Sequence, residues 1–255
     1  MSQMFQTHMF WAYGSFSNVE KIAAASFVKN GYRLNIWTYG DISNAPAGVT
    51  LKDAREILPE SLFFSLPNGS CAPFSDFFRY AVLNKVGGLW VDTDLIALKP
   101  LKEFPREPFL VTERLPVKTI KEFVKQTLLR RVSFRTNNNV IFNPIPSPGN
   151  IIDLAYLYSE RFPKEKVRWS ELGPDLLSAI EKIYPDHGFR IMPPEFANSI
   201  DYWNCPASLL EPGVKVHTQA IFLHLYNEAW RDAKIDKNAP FPKHSLMSFL
   251  AEEYL

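Results

Sequence analysis

Apolar and polar positions change period several times along this chain, and each change marks an element. "MFWAYG" is a short apolar segment closed by Gly14, the pattern of a first strand and its turn. "SNVEKIAAASFVKNG" then repeats at helical spacing. Ser17 stands as its cap, Glu20 completes a capping box, Ile22, Ala25 and Val28 form an apolar face, and Gly31 ends it. "YRLNIWTYG" alternates and is rich in aromatic and aliphatic residues, which predicts a second strand. Strand, helix and strand together predict a parallel sheet with a right-handed crossover. "LKDAREILPE" reads as a short helix or an extended connection, and "SLFFSLPNGSCAP" as a loop. "FSDFFRYAVLNKVGG" predicts the strongest helix: Phe74, Phe77, Phe78, Ala81, Val82 and Leu83 share an apolar face, and Gly87-Gly88 stops it. "LWVDTDLIALKPL" is a strand that breaks into a loop, and "NNNVIFNPIPSPGN" a strand and a turn. "IIDLAYLYSERF" and "GPDLLSAIEKIY" predict helices, the second with Pro174 in its first turn, and "AIFLHLYNEAW" a late strand. No repeat, low-complexity segment or linker interrupts the pattern, so one α/β domain over 1–255 is expected, with an irregular second half.

Composition narrows the possibilities. A chain of 255 residues can bury a substantial core, and 46% hydrophobic with 22% charged residues is ordinary globular content. The net charge of +1 argues against a nucleic-acid partner bound by phosphate neutralisation. No apolar run reaches the length of about 18 residues that predicts a membrane span. "MSQMFQTHMFWAYG" lacks the basic start and continuous apolar stretch of a secretory signal. Cys71 and Cys205 lie far apart without metal-like spacing and read as buried thiols. A reducing compartment, the cytoplasm, is therefore expected.

Within this ordinary chain, "GGLWVDTDLIALKP" places Asp92 and Asp94 inside an apolar run. Carboxylates rarely sit there unless something pairs with them. In an open α/β sheet, ligands bind beyond the carboxyl ends of the strands, which is where "GLWV" delivers this pair. Residues two apart on an extended chain point to one side, so the two carboxylates repel unless a cation joins them. Hard divalent cations take oxygen ligands, often one or two carboxylates plus substrate phosphates. Taken alone, the pair suits a surface turn better. Just upstream, Asp76 and Arg79 stand at i and i+3 on one face of the predicted helix.

The combined pattern is Ser75-Asp76-x-x-Arg79-Tyr80, then Gly87-Gly88-x-Trp90-x-Asp92-x-Asp94, then Lys99-Pro100. It resembles the sugar-transferase domain that carries an Asp-X-Asp (DXD) motif, of the glycosyltransferase family 32 type. That family includes bacterial capsular and lipopolysaccharide glycosyltransferases and yeast mannosyltransferases, with the glucosyltransferase domains of clostridial toxins as distant relatives. "FWAYGSFSNVEKIAAASFVKNGYRLNIWTYGD" is similar to the family's opening and "HLYNEAW" to its close. The resemblance implies a GT-A-type single domain, a Rossmann-like mixed sheet flanked by helices. Residues 1–110 would form the nucleotide-sugar-binding half and 111–255 the acceptor-side half. It implies a metal-dependent, retaining transfer of a hexose from a nucleotide-diphosphate sugar to a saccharide or glycolipid acceptor. A UDP-sugar is the favoured donor, with GDP-mannose open, and Mn²⁺ or Mg²⁺ is the expected cofactor. The implied setting is bacterial surface polysaccharide synthesis, in the cytoplasm or peripherally at the inner face of the membrane.

Residue by residue, the resemblance implies that Asp94 contacts the metal directly, and that Asp92 contacts the ribose, the metal through water, or both. Asp76 and Arg79 would hold donor sugar hydroxyls, and the Arg79 fork also meets phosphate. Their bland alternative is a surface ion pair. Trp11, at the first strand end, suits stacking on the nucleobase, and Trp90 would wall the donor, although both also suit core packing. His224 would complete the metal shell, which tilts the choice toward Mn²⁺; the alternative is a core histidine. Asn227, Glu228 and Trp230 would close over the diphosphate. Asn139 would face the transferred sugar, or simply form a turn. Glu171 and Asp175 flank a predicted helix start near an acceptor entrance, where acids also cap helices. Two rival classes are an Asp-X-Asp phosphatase or phosphotransferase and a non-catalytic nucleotide-sugar or glycan-binding protein. A Rossmann dehydrogenase is excluded because no Gly-x-Gly-x-x-Gly follows the first strand.

Overall fold

The computed structural model describes residues 5–120, 122, 124 and 133–255. Its strands in chain order are β1 (Thr7–Phe10), β2 (Leu34–Thr38), β3 (Thr50–Asp53), β4 (Gly88–Val91), β5 (Leu95–Ala97), β6 (Phe109–Arg114), β7 (Phe134–Asn143), β8 (Arg190–Met192) and β9 (Phe222–His224). Seven form one sheet in the order β3-β2-β1-β4-β7-β6-β8, and β5 pairs with β9 in a separate ribbon. β1 to β4 are mutually parallel, β7 runs antiparallel to both β4 and β6, and β8 is parallel to β6. This is the expected α/β class, a mixed sheet flanked by helices.

Helix α1 (Asn18–Lys29) carries the expected capping box between Ser17 and Glu20. Its buried face is Val19, Ile22, Ala23, Ala24, Ser26 and Phe27, with Ala25 and Val28 only half-buried. The expected stripe of Ile22, Ala25 and Val28 therefore does not hold. Steps of three residues fall short of a full 3.6-residue turn, so such a stripe drifts around the helix. Helix α2 (Ala72–Lys85) buries the expected aromatic face against the sheet. The segment after β2, read as a short helix or extended connection, is the edge strand β3 followed by a single 3-10 turn.

The double glycine does more than end α2. Gly88 has φ +103°, and a Cβ there would lie 2.4 Å from the carbonyl oxygen of Gln6. The chain can enter β4 beside the start of β1 only without a side chain at this position. The turn thus fixes where β4 ends, and with it the aspartates.

One edge of the sheet collects the ends that matter. β1 and β4 leave it at Trp11 and Asp92, while β7 enters it antiparallel, so Val91 lies opposite Val140. β6 leaves at the same edge, with Glu113 opposite Arg135. Between Leu110 and Val111 the pairing partner jumps from Ile141 to Asn137, which leaves residues 138–140 unpaired with β6. Irregularities of this kind re-aim side chains near sites; here the affected residues include Asn138 and Asn139. Further helices among the described residues are α3 (Ile151–Arg161), α4 (Pro174–Ile183), α5 (Ala207–Leu210), α6 (Asn227–Asp232) and α7 (Leu246–Tyr254).

Candidate active site

A cleft of about 860 Å³ opens at this edge. At its base, α2 turns Asp76 and Arg79 inward while its aromatic face fills the core. Arg79 Nη2 lies 2.9 Å from Asp76 Oδ1 and 3.2 Å from Asp92 Oδ1. Its Nε donates to the Ser75 carbonyl at 3.3 Å, and Nη1 donates to the Asn138 carbonyl. The guanidinium also lies over the Trp90 ring, 5.1 Å from its centroid. Asn138 Nδ2 donates to Asp76 Oδ1 at 2.8 Å. The Asp76–Arg79 pair is therefore no surface ion pair but a buried network, in which each charge depends on the others. Most of the Arg79 fork is engaged within the protein, so the expectation that it meets phosphate gives way to a positioning role. It holds Asp92.

Asp92 and Asp94 do not share a side by strand alternation. β4 ends at Val91, and a turn follows in which the Leu95 amide donates to the Asp92 carbonyl at 3.2 Å. The turn and the β5–β9 ribbon bring the carboxylates together. Leu95 pairs with His224, which carries the imidazole to Asp94. His224 Nε2 lies 3.4 Å from Asp94 Oδ2, and the Asn227 amide donates to the same oxygen at 2.6 Å. One ligand atom each from Asp92, Asp94 and His224 falls within 4.8 Å of the others. Two carboxylates and an imidazole converging on one point fit a divalent cation.

The electrostatics agree with a site built to be completed. Asp92 shows 24% of its side chain to the cleft yet lies deep beneath the surface, and this burial raises its pKa to about 6. Arg79 offsets part of that rise, and Asp94 adds to it. Burial acts the same way on Asp94, but the His224 charge and hydrogen bond, with the Asn227 amide, outweigh it and hold Asp94 below the usual carboxylate range. For His224 burial opposes the charged form; Asp94 and then Asp92 outweigh it and raise its pKa. Asp76 is raised by burial, with Arg79 and Asn138 opposing.

The other anticipated residues separate into two groups. Trp11 lines the cleft mouth, edge-on to Phe16 at 5.3 Å, with its indole N–H donating to the Gly14 carbonyl at 3.1 Å. Trp90 is part of the core, but its N–H donates to Asp92 Oδ1 at 2.8 Å, so it steadies the carboxylate. Asn227 and Glu228 line the cleft; Asp175 is paired with Arg135 on its rim. Asn139 does not face the cleft: it is fully buried behind His224, where its Nδ2 lies 3.0 Å from Nδ1 of the ring. Trp230 does not close over it either. Its ring is wholly buried on α6, beside Phe241, with its N–H on the Leu225 carbonyl. A short helix turns only one face to the cleft, and Asn227 and Glu228 occupy it. Glu171 accepts from the Arg168 amide at 2.9 Å, away from the cleft lining.

Several contributors escaped the sequence pattern. Asn198 Oδ1 lies 3.2 Å from His224 Nδ1 and accepts from the Tyr226 hydroxyl at 3.3 Å; the Tyr226 ring lies 3.8 Å from the imidazole. Gly173 packs so closely on Asp76 that a Cβ there would be 2.6 Å from Oδ2. The glycine beside Pro174 in "LGPD" was the available signal, and it read as a helix start.

Residues 6–112 match the family described as glycosyltransferase sugar-binding region containing DXD motif. No curated protein matches the chain. Among solved structures it is similar to the PaToxG glycosyltransferase, at 20% identity and a TM-score of 0.48 over 71% of this chain and 69% of that one. It is also similar to the apo-form glycosyltransferase GlyE of Streptococcus pneumoniae TIGR4, at 14% identity and a TM-score of 0.43 over 98% of this chain and 63% of that one. The stretch that holds Asp76, Arg79 and the aspartate pair, residues 6–112, is thus similar to the sugar-binding region of DXD-motif glycosyltransferases.

Proposed function

We propose that this chain moves a hexose from a nucleotide-diphosphate sugar, a UDP-sugar, to a saccharide or glycolipid acceptor, with a divalent cation and with retention of configuration. The observation that carries this reading is the convergence of Asp92, Asp94 and His224 within 4.8 Å at the carboxyl end of β4. Asp94, held ionised by His224 and Asn227, and His224 Nε2 would bind Mn²⁺ or Mg²⁺, with Asp92 beside them. When bound, the cation supplies neutralisation of the charge that builds on the departing diphosphate.

The chain's own residues do the rest. Arg79 and Trp90 fix the Asp92 carboxylate from behind. Asp76, anchored by Arg79 and Asn138, offers its acceptor oxygens to donor sugar hydroxyls. Trp11 provides an aromatic face at the cleft mouth for the nucleobase. Lys237 and Arg231 also line the cleft, Lys237 paired with Glu20 and Arg231 with Glu228. Retention and the UDP donor are carried over from the resemblance, as is action in the cytoplasm, peripherally at the inner face of the membrane. Among the described residues, no helix is long and apolar enough to cross a membrane.

The test is donor hydrolysis across a panel of UDP- and GDP-sugars, with Mn²⁺, with Mg²⁺ and with chelator, beside Asp94→Ala. Consumption of one sugar nucleotide, only with metal and only with Asp94 intact, supports the reading. If no donor is consumed and no donor with metal shifts thermal melting, the reading is wrong.

A further inference from the structure

The part of the cleft beyond the aspartates is walled by side chains that donor binding does not use. Trp169 and Trp203 both line it with 48% and 44% of their surface exposed, and Tyr202 beside Trp203 shows 43%. Large aromatics left open in a polar cleft offer flat, apolar faces of the kind that pack on the C–H faces of sugar rings. Each is held in place from the end of β6. Glu113 Oε1 accepts from Arg135 Nε at 2.5 Å, and Arg135 Nη1 donates to the Ser170 hydroxyl at 3.2 Å, next to Trp169. Arg114, the following residue, donates from Nη1 to Asp201 at 3.0 Å, next to Tyr202. Two successive residues of one strand thus tether the two aromatic loops. The first loop continues to Gly173, in contact with Asp76, so it reaches the proposed donor sugar position.

Between these loops lies an incompletely used polar pair. Glu113 is buried and lines the cleft, yet among the described residues its Oε2 has no hydrogen-bond partner. Arg135 Nη2 likewise has none there, its Nε and Nη1 being taken by Glu113, Ser170 and Asp175. A free carboxylate oxygen beside a free guanidinium nitrogen matches two neighbouring hydroxyls, one donating and one accepting. The local charges lean negative: two arginines face four carboxylates, Arg135 with Glu113 and Asp175, and Arg114 with Glu195 and Asp201. That excess of negative charge disfavours an anionic group and suits a neutral polyol.

We infer that this part of the cleft is a subsite for a neutral saccharide acceptor, with Trp169 and Trp203 as its stacking walls and Glu113 with Arg135 as its hydroxyl-binding floor. This inference rests on the glycosyl-transfer reading for its meaning, but its binding test does not. Saturation-transfer NMR would be run on the metal-free protein with maltose, cellobiose and lactose, each at millimolar concentration. At least one should take up saturation on its ring protons. The signal should persist in Asp94→Ala and disappear in the Trp169→Ala/Trp203→Ala double variant, while Trp169→Phe keeps it. Both tryptophans are half exposed, so the melting temperature serves to verify that the double variant is folded. For the saccharide that binds, Glu113→Gln should raise the acceptor KM tenfold or more while the donor KM moves less than threefold. Silence from all three disaccharides, as expected if the acceptor is a polypeptide, overturns the inference, and so does an undiminished signal in the folded double variant. Donor hydrolysis without saccharide binding would defeat this subsite alone; saccharide binding without any donor use would defeat the donor reading and leave the subsite standing.

Discussion

Up to residue 112 the cleft is built from the ends of regular elements, whereas beyond it the same cleft is walled mainly by loops. On the first side, α2 and β4 deliver Asp76, Arg79, Trp90 and Asp92 into one buried network, and every charge has a partner across it. On the second side, Trp169 and Trp203 stand on short loops, half exposed, held at a distance by Arg135 and Arg114. Rigid elements hold a cluster whose geometry must be fixed; loops on a scaffold carry the part that varies with the partner. The difference predicts that substitutions on the first side act on stability and on donor use together. Those on the second side should act on partner binding and hardly on stability.

The largest effect should come from Arg79→Ala. It leaves Asp76 and Asp92 buried without their cation, at a cost of about 3–5 kcal/mol. Thermal melting should fall by roughly 6–20 °C for a chain of this size. A shift of only a degree or two would mean that the network is solvated, and the contrast between the two sides would collapse.

Gly173→Ala tests the joint between them. The new Cβ, 2.6 Å from Asp76 Oδ2, forces the carboxylate or the loop to move, at about 1–3 kcal/mol as for other overpacked sites. Donor use, measured as nucleotide release, should fall at least as steeply as saccharide binding. If only saccharide binding suffers, the loop yields and Asp76 stays in place.

Asp92→Asn should act in the opposite direction in the metal-free protein. Folded Asp92 titrates near 6 against an ordinary value of 3.8, so its charge opposes folding above pH 6. The neutral amide should therefore stabilise at pH 8, by about 1–2 kcal/mol once lost contacts to Arg79 and Trp90 are subtracted. This gain should shrink as pH falls from 6 towards 4 and vanish only below the ordinary value of 3.8, where Asp92 is itself protonated in both states. Urea unfolding in chelator at several pH values checks it. A variant less stable than the wild type at pH 8 would show that Arg79 makes the charge favourable. Mn²⁺ should reverse the order, since the wild type alone keeps all three ligands.

The smallest effect on stability belongs to Trp169→Ala. With nearly half its surface already exposed, its loss should fall within about 0.5 kcal/mol, as at other surface positions. A drop of several degrees in melting temperature would make Trp169 part of the packing.

Much of the first side was legible because its signals are local. A capping box at Ser17 and Glu20, an aromatic helix face from Phe74 to Leu83, and an Asp-X-Asp after an apolar strand lie within short windows. The structure keeps all three. The roles of Asn139 and Trp230 were not legible, because each is decided by which side of its backbone faces the cleft. For Asn139 that is set by the register jump in β7 against β6; for Trp230, by how α6 packs on the β5–β9 ribbon.

By itself the sequence determined the α/β class, the order of the first elements and the residue types suited to holding a cation, since periodicity and short motifs carry these. Only the tertiary structure decided that a turn, rather than strand alternation, brings Asp92 and Asp94 to His224. It also decided that Arg79 is spent within the protein, and that Glu113, Gly173 and the two exposed tryptophans meet at the same edge. Those contacts join residues far apart along the chain, and what brings them together is strand register and loop packing, which no short window of sequence contains.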